Sequence, residues 1–303
     1  MAVFYQKYRP VNFSQVVGHE AILKAMRNAS KNQALAHAYL LTGGRGLGKT
    51  TLARILAKAV NCNQLSDGDP CGTCETCMSI AGGNFLDVVE IDAASHTGVD
   101  NIRELIENIN FKPTFGRTKV FIIDEVHMLS KAAFNALLKT LEEPPSHVLF
   151  VLATTDAHKV PETVVSRTQR FDFKQIKSQD IAEVLKRIVK QDKLKLPDGT
   201  LDLIVQNSQG GLRDALTQLG AVAVLPSDAT LDDVSEILGT TSRQTIEQLF
   251  ELITTGQDQS LPEFFEQQTA KNFDPLGFAK SVLSILQEWL ELSMKGQNQE
   301  IPF

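Results

Sequence analysis

Gly43-Gly44-Arg45-Gly46-Leu47-Gly48-Lys49-Thr50 decides how this chain of 303 residues folds. The octapeptide fits G-x-x-x-x-G-K-[ST], and its surroundings fit as well. Before it runs Ala38-Tyr39-Leu40-Leu41, a short apolar run that reads as a buried strand entering a turn. After it, Thr50 to Val60 puts Leu52, Ile55, Leu56 and Ala59 on one side of a helix. Glycines let successive backbone N–H groups turn inward on an anion, and the helix adds its positive end. Lys49 supplies a mobile point charge for outer phosphates. The Thr50 hydroxyl is a hard oxygen ligand suited to Mg²⁺. Thr51, next in the first helical turn, joins the residues expected to touch phosphate.

Working outward, Val120-Phe121-Ile122-Ile123-Asp124-Glu125 supplies the second half of the site. Four apolar residues make a buried strand, and two carboxylates emerge at its C-terminal end, where open α/β sheets bind ligands. Asp124 is assigned to the metal and Glu125 to an attacking water. The two motifs together argue hydrolysis of a nucleoside triphosphate, driven by positioning and charge. Thr154-Thr155-Asp156 leaves the next strand, Val148 to Ala153. Thr155 reads either as a γ-phosphate or water contact or as a turn former. Arg167, in Val165-Ser166-Arg167-Thr168, reads either as a finger for a neighbouring subunit or as a surface arginine at a helix end. Arg213 begins a later helix and either reports the γ-phosphate or pairs with Asp214.

The four cysteines are Cys62, Cys71, Cys74 and Cys77, in the order C-x8-C-x2-C-x2-C. Turn formers between them let the chain wrap an ion, and four thiolates closing a tetrahedron suit structural Zn²⁺. An iron–sulfur cluster is the alternative metal reading, and four unlinked thiols the plain one. Disulfides are disfavoured in a reducing cytosol. With four thiolates at hand, His96 and His127 read as non-ligands.

Composition bounds the rest. Apolar residues make up 43% of the chain and charged residues 22%, which excludes wholesale disorder. No apolar stretch approaches the roughly 18 residues of a membrane span, and the N-terminus shows no secretory pattern, so a cytoplasmic protein without membrane partners is expected. The net charge of −6 conceals an asymmetry. Residues 1–222 hold 26 Lys and Arg against 23 Asp and Glu, whereas 223–303 hold 4 against 13. A DNA contact would therefore be local and would come from the first part. Strand candidates at 38–41, 87–91, 119–123, 148–153 and 170–173 alternate with helices in the manner of a parallel α/β sheet. After Phe173 the pattern is helical. The expected division is 1–177 for the nucleotide-binding domain with an insertion at 62–77, 178–224 for a small helical domain, and 228–303 for further helices.

The order of motifs resembles the AAA+ ATPases, and within them the bacterial clamp-loader motor subunits. The resemblance is carried by Lys7-Tyr8-Arg9-Pro10, Val16-Val17-Gly18, the phosphate loop, the four cysteines, Ile91-Asp92-Ala93-Ala94-Ser95 and Asp124-Glu125-Val126-His127-Met128-Leu129. It continues through Phe134–Pro145, Leu152-Ala153-Thr154-Thr155 and Gly211-Leu212-Arg213-Asp214-Ala215. It implies an AAA+ P-loop fold followed by a helical lid and a helical oligomerisation collar. It also implies ATP, Mg²⁺ and Zn²⁺ as cofactors, with the zinc in the cysteine insertion. Thr155 would be the γ-phosphate sensor, Arg167 the trans finger and Arg213 the sensor of the second domain. Tyr8, Arg9, Val17 and Gly18 would hold adenine; without the resemblance they read as an N-terminal arm packed on the core. The implied partners are other clamp-loader subunits (delta, delta prime and further motor copies), the sliding clamp and primer–template DNA. ATP would favour a ring-like array that opens the clamp and grips DNA, and hydrolysis would release both. The pattern departs at Thr168, where the family usually has Cys, and the collar is expected to be incomplete at Phe303, without a polymerase-binding tail. Two other readings are a nucleotide-binding scaffold, disfavoured by Glu125, and another AAA+ DNA-processing motor, disfavoured by the cysteine insertion.

Overall fold

The computed structural model describes residues 3–95, 105–226, 228–239, 243–269 and 275–294, so His96 lies outside the described residues. By its internal contacts the chain divides into two compact units, one of 1–180 with 210–213, the other of 181–209 with 214–303.

The first unit is built on five parallel strands: β1 (Ala38–Thr42), β2 (Val88–Asp92), β3 (Lys119–Asp124), β4 (Val148–Thr154) and β5 (Gln169–Asp172), in the order β2-β3-β4-β1-β5. Every residue of β1 and β4 is buried, which is why both are unbroken apolar runs apart from their last threonines. Successive side chains point to opposite faces. Tyr39, Leu41, Val120, Ile122, Leu149 and Val151 thus pack on one side with Leu52, Ile55 and Leu56 of the helix Lys49–Asn61. Leu40, Phe121, Ile123, Phe150 and Leu152 pack on the other with Phe134, Leu137 and Leu141 of the helix Lys131–Glu142. Phe121 and Phe150 stack across the sheet with centroids 5.6 Å apart. Removing one such ring, as in Phe150→Ala, costs about 3–5 kcal/mol.

Two anchors hold the loops beside this sheet. The Asp87 carboxylate, 1% exposed, accepts backbone N–H groups of Thr114, Phe115 and Gly116 at 2.7–2.8 Å. Burial pushes its pKa up, but those three donors and Lys119 outweigh burial and leave it below the usual aspartate value. Asp69 accepts from the backbone of Phe13 at 2.6 Å and of Ser14 at 3.2 Å, and so ties the cysteine segment to the N-terminal arm. Asp67 in the same segment pairs with Arg27 and Lys31 of the helix Glu20–Lys31.

The second unit is helical. Ile181, Val184, Leu185 and Ile188 of the helix Ser178–Asp192 are buried, as are Ile204 of Thr200–Asn207 and Leu216, Leu219 and Val222 of Leu212–Val222. Gly199 caps the second of these with φ 84°, a value that favours glycine. Thr230 and Asp233 form a reciprocal capping box on Leu231–Leu238. Further on, Ile246, Leu249, Phe264, Phe278, Ile285 and Trp289 make a separate apolar cluster. No helix of the described residues is long and apolar enough to cross a membrane.

Candidate functional site

Because all five strands are parallel, their C-terminal ends meet along one edge. Thr42 of β1 is in register with Thr154 of β4 and with Asp172 of β5, and Asp92 of β2 with Asp124 of β3. The phosphate loop leaves β1 at this edge. Gly43 has φ 138°, and a Cβ there would stand 2.4 Å from the carbonyl oxygen of Phe173. The chain therefore turns only because this residue lacks a side chain. Gly46 (φ 76°) and Gly48 (φ 94°) continue the curl, and Gly48 caps the helix Lys49–Asn61. Arg45 is exposed on the loop, while Leu47 anchors it in the core.

Lys49 is 5% exposed, and its Nζ donates to the carbonyls of Gly43 and Gly44 at 2.7 Å each. Burial lowers its pKa, while the carboxylates of Glu125 and Asp124 act in the opposite direction. Those charges place both acids close to the ammonium. The Thr50 hydroxyl donates to Asp124 Oδ2 at 2.6 Å, and Asp124 Oδ1 accepts from the Glu125 N–H at 2.9 Å. Two hard oxygens thus stand side by side at the loop, a donor set that fits a magnesium ion. Glu125 sits in the left-handed region at φ 47°. Its Oε2 accepts from the Thr155 hydroxyl at 2.7 Å and from the Thr155 N–H at 3.1 Å. Lys49, Thr50, Asp124, Glu125 and Thr155 are therefore one connected group.

Sequence reasoning missed the next layer. His127 Nδ1 lies 2.9 Å from the Thr154 hydroxyl and 3.4 Å from Glu125 Oε2. The sequence signal for it is position alone, two residues beyond the acid in a tight turn. Arg213 is grouped with the first unit. Its backbone N–H donates to Gly46 O at 3.3 Å, and its guanidinium carbon lies 4.8 Å from the centroid of the Tyr5 ring. Arg9 is close enough to feel Arg54, Glu90 and Arg213. Burial is the main cause of its lowered pKa, followed by the Arg54 charge. Tyr8 stacks on Phe4 at 5.9 Å, and a Cβ on Gly18 would stand 3.4 Å from Ile176. Val17 and Gly18 are partly exposed. Arg167 keeps other company: its Nη2 donates to Glu142 at 2.7 Å and its Nη1 to Thr163 O at 2.8 Å.

The thiol sulfurs of Cys62, Cys71, Cys74 and Cys77 all lie within 4.8 Å of one another, with Cys62 to Cys71 at 3.6 Å. Ligand sulfurs about 2.3 Å from a tetrahedral zinc would be about 3.8 Å apart, so the cluster fits that ion. Backbone N–H groups of Cys74 and Thr73 pull the Cys71 pKa down to about 6, and burial pushes that of Cys77 up.

A phosphate loop after strand β1, an acidic pair ending β3 and this strand order define the AAA+ class of P-loop folds. Among solved structures, the Holliday junction branch migration motor RuvB of Thermotoga maritima shares the fold at a TM-score of 0.58, with 93% of this chain and 91% of that one covered. Sequence identity is 18%, so the likeness concerns fold alone. Residues 18–177 match the family model described as DNA polymerase III, delta subunit. The tau subunit of Bacillus subtilis DNA polymerase III is 48% identical over 240 residues, 79% of this chain and 43% of that protein. The tau subunit of Escherichia coli is 45% identical over 239 residues, 78% and 37%. The gamma subunit of Buchnera aphidicola subsp. Schizaphis graminum is 42% identical over 243 residues, 80% and 67%. The chain belongs to the family of DNA polymerase III gamma/tau subunits. It spans about two fifths of the length of the first two of these relatives.

Proposed function

We propose that this chain is an ATP-hydrolysing motor of a DNA polymerase III clamp loader, placing the sliding clamp on primed DNA during replication. The observation that carries the reading is the connected group of Lys49, Thr50, Asp124, Glu125 and Thr155 at one end of the sheet. The loop amides from Gly43 to Thr51 cradle the triphosphate, and Lys49 meets its outer charge. A magnesium ion held by Thr50 and Asp124 would neutralise phosphate charge. Glu125 orients a water and takes its proton as the water oxygen attacks the γ-phosphorus. The bond from that phosphorus to the bridging β-phosphate oxygen breaks, leaving ADP and inorganic phosphate. Thr155 keeps Glu125 aimed and senses the γ-phosphate, and Arg213 reads the same group.

Arg167, half-exposed and held by a surface ion pair, suits a finger offered to a neighbouring copy. Tyr8, Arg9, Val17 and Gly18 line the adenine side. The four cysteines hold a structural zinc, with no open position for chemistry. Residues 178–224 act as a lid and 228–303 as part of an oligomerisation collar. The partners are the delta and delta-prime subunits, further gamma/tau copies, the clamp and primer–template DNA. The excess of three positive charges over residues 1–222 permits backbone-only contact with DNA inside such an assembly. ATP turnover measured with primed DNA and clamp, separately and together, tests the reading. Stimulation by both is expected. Retained DNA-stimulated turnover in Lys49→Ala would overturn it.

A further inference from the structure

We propose that Tyr5 is a positioning residue for Arg213, holding its guanidinium so that its in-plane N–H groups meet the terminal phosphate of ATP. The inference rests on the nucleotide reading above and adds a residue that reading does not use. Two contacts of Arg213 carry the inference. Its backbone N–H donates to Gly46 O inside the phosphate loop at 3.3 Å, and its guanidinium lies over the Tyr5 ring at 4.8 Å from the centroid. A guanidinium over an aromatic face directs its N–H groups along its own plane, the geometry in which it meets a planar or tetrahedral anion.

The helix that carries the ring is itself held. Tyr5 lies in the short helix Phe4–Lys7, whose end is closed by the Tyr8 N–H on Phe4 O at 2.9 Å. Phe4 and Tyr8 stack, and Lys7 Nζ lies 5.1 Å from the Tyr8 ring centroid. The setting is rich in cations. Arg9 is near Arg213 and also feels Arg54, and Glu90, the carboxylate that acts on Arg9, is engaged by both Arg54 Nε and Nη2 at 2.7 Å. Like charges at that density push a flexible arginine outward unless something holds it. A neutral ring adds to that hold without neutralising the positive charge that a polyphosphate needs.

The test is a double-mutant cycle on the 303-residue chain, read as affinity for ATP and for ADP by fluorescent-analogue titration. Tyr5→Leu is expected to weaken ATP binding about fivefold or more, the scale of a cation–π contact, and ADP much less. Tyr5→Phe keeps the ring face and should retain the preference for ATP. In an Arg213→Ala background, Tyr5→Leu should have no further effect. Equal loss of ATP and ADP, or the same loss without Arg213, would overturn the proposal. Tyr5→Met, close to leucine in volume, repeats the cycle if the leucine variant misfolds. A wild-type chain that binds no ATP overturns the proposed function itself. ATP binding that Tyr5→Leu leaves unmoved overturns only the role of Tyr5.

Discussion

The Thr155 hydroxyl donates to Glu125 Oε2 at 2.7 Å while Glu125 stands in a left-handed backbone conformation at φ 47°. A non-glycine residue there costs on the order of 1–3 kcal/mol, and such strain persists only where surrounding contacts fix it. Those contacts are Asp124, which holds the Glu125 N–H, and Thr155, which holds the carboxylate. Glu125→Gln is expected to lower single-turnover ATP hydrolysis about 10²–10⁴-fold with ATP affinity retained. Thr155→Val, which keeps the N–H and loses the hydroxyl, should cost about tenfold, the scale of a hydrogen bond to a charged group. Rapid-quench kinetics reads both, and a Glu125→Gln chain at the wild-type rate would remove Glu125 from the chemistry.

Arg167 separates stability from catalysis. Its ion pair with Glu142 joins side chains 34% and 49% exposed, and such pairs contribute at most about 1 kcal/mol. Arg167→Ala should therefore unfold near the wild-type temperature yet lose about 10³–10⁵ in turnover within the assembly. Mixing it with Lys49→Ala should restore activity, because the lysine variant still offers its arginine to the neighbouring site. Two inactive chains that stay inactive on mixing would sink the trans assignment.

Much of this was legible beforehand, for identifiable reasons. Buried parallel strands are apolar along their whole length, so the runs at 38–41, 119–123 and 148–153 coincide with β1, β3 and β4 to within a residue. The phosphate loop and cysteine cluster were legible because local spacing alone specifies their chemistry. The strand order was not, since pairing β1 with β4 joins residues over a hundred positions apart. The same holds for Arg213 on Tyr5, Arg167 on Glu142 and the loop carried by Asp87. Each joins a charged or polar side chain to a distant partner, and no periodicity marks such a pair. His127 stood in plain view beside the acid, but its link to Thr154 exists only once β3 and β4 are neighbours.

Asp87 makes stability depend on acid. Its folded pKa lies below the ordinary aspartate value of about 3.9, so its stabilisation is complete above that value and lost as pH falls through the folded pKa. Asp87→Asn replaces an acceptor facing three N–H donors with an amide and should cost about 3 kcal/mol at neutral pH. Urea unfolding across pH checks this: the gap between the two proteins should narrow below about pH 4. A gap independent of pH would mean that packing, not the carboxylate, carries the effect.

The cysteine cluster predicts a bound metal. Elemental analysis should find one zinc per chain, and Cys62→Ser or strong chelation should lower the unfolding temperature. Cys71 is held down to about 6, whereas burial raises Cys62 and Cys77, so holding the ion means releasing protons from those two thiols, and falling pH favours their return. Zinc retention should therefore decline in mild acid. A metal-free chain with unchanged unfolding would contradict the structural role.

Gly43 and Gly44 are adjacent in the loop but not equivalent. A Cβ on Gly43 would lie 2.4 Å from the Phe173 carbonyl oxygen, and its φ of 138° disfavours any side chain. Phe173 cannot withdraw, because its N–H donates to Thr42 O at 2.7 Å and extends the pairing of β1 with β5. A Cβ on Gly44 meets the Leu47 side chain, with Cδ1 at 3.6 Å and Cγ at 4.0 Å, both ordinary contacts. Gly43→Ala should thus destabilise the chain by more than about 2 kcal/mol, whereas Gly44→Ala should stay within about 0.5 kcal/mol of wild type. Urea midpoints measure both. Equal losses would show that the loop tolerates no added carbon anywhere, and the close approach of Phe173 would then not be what demands glycine at 43.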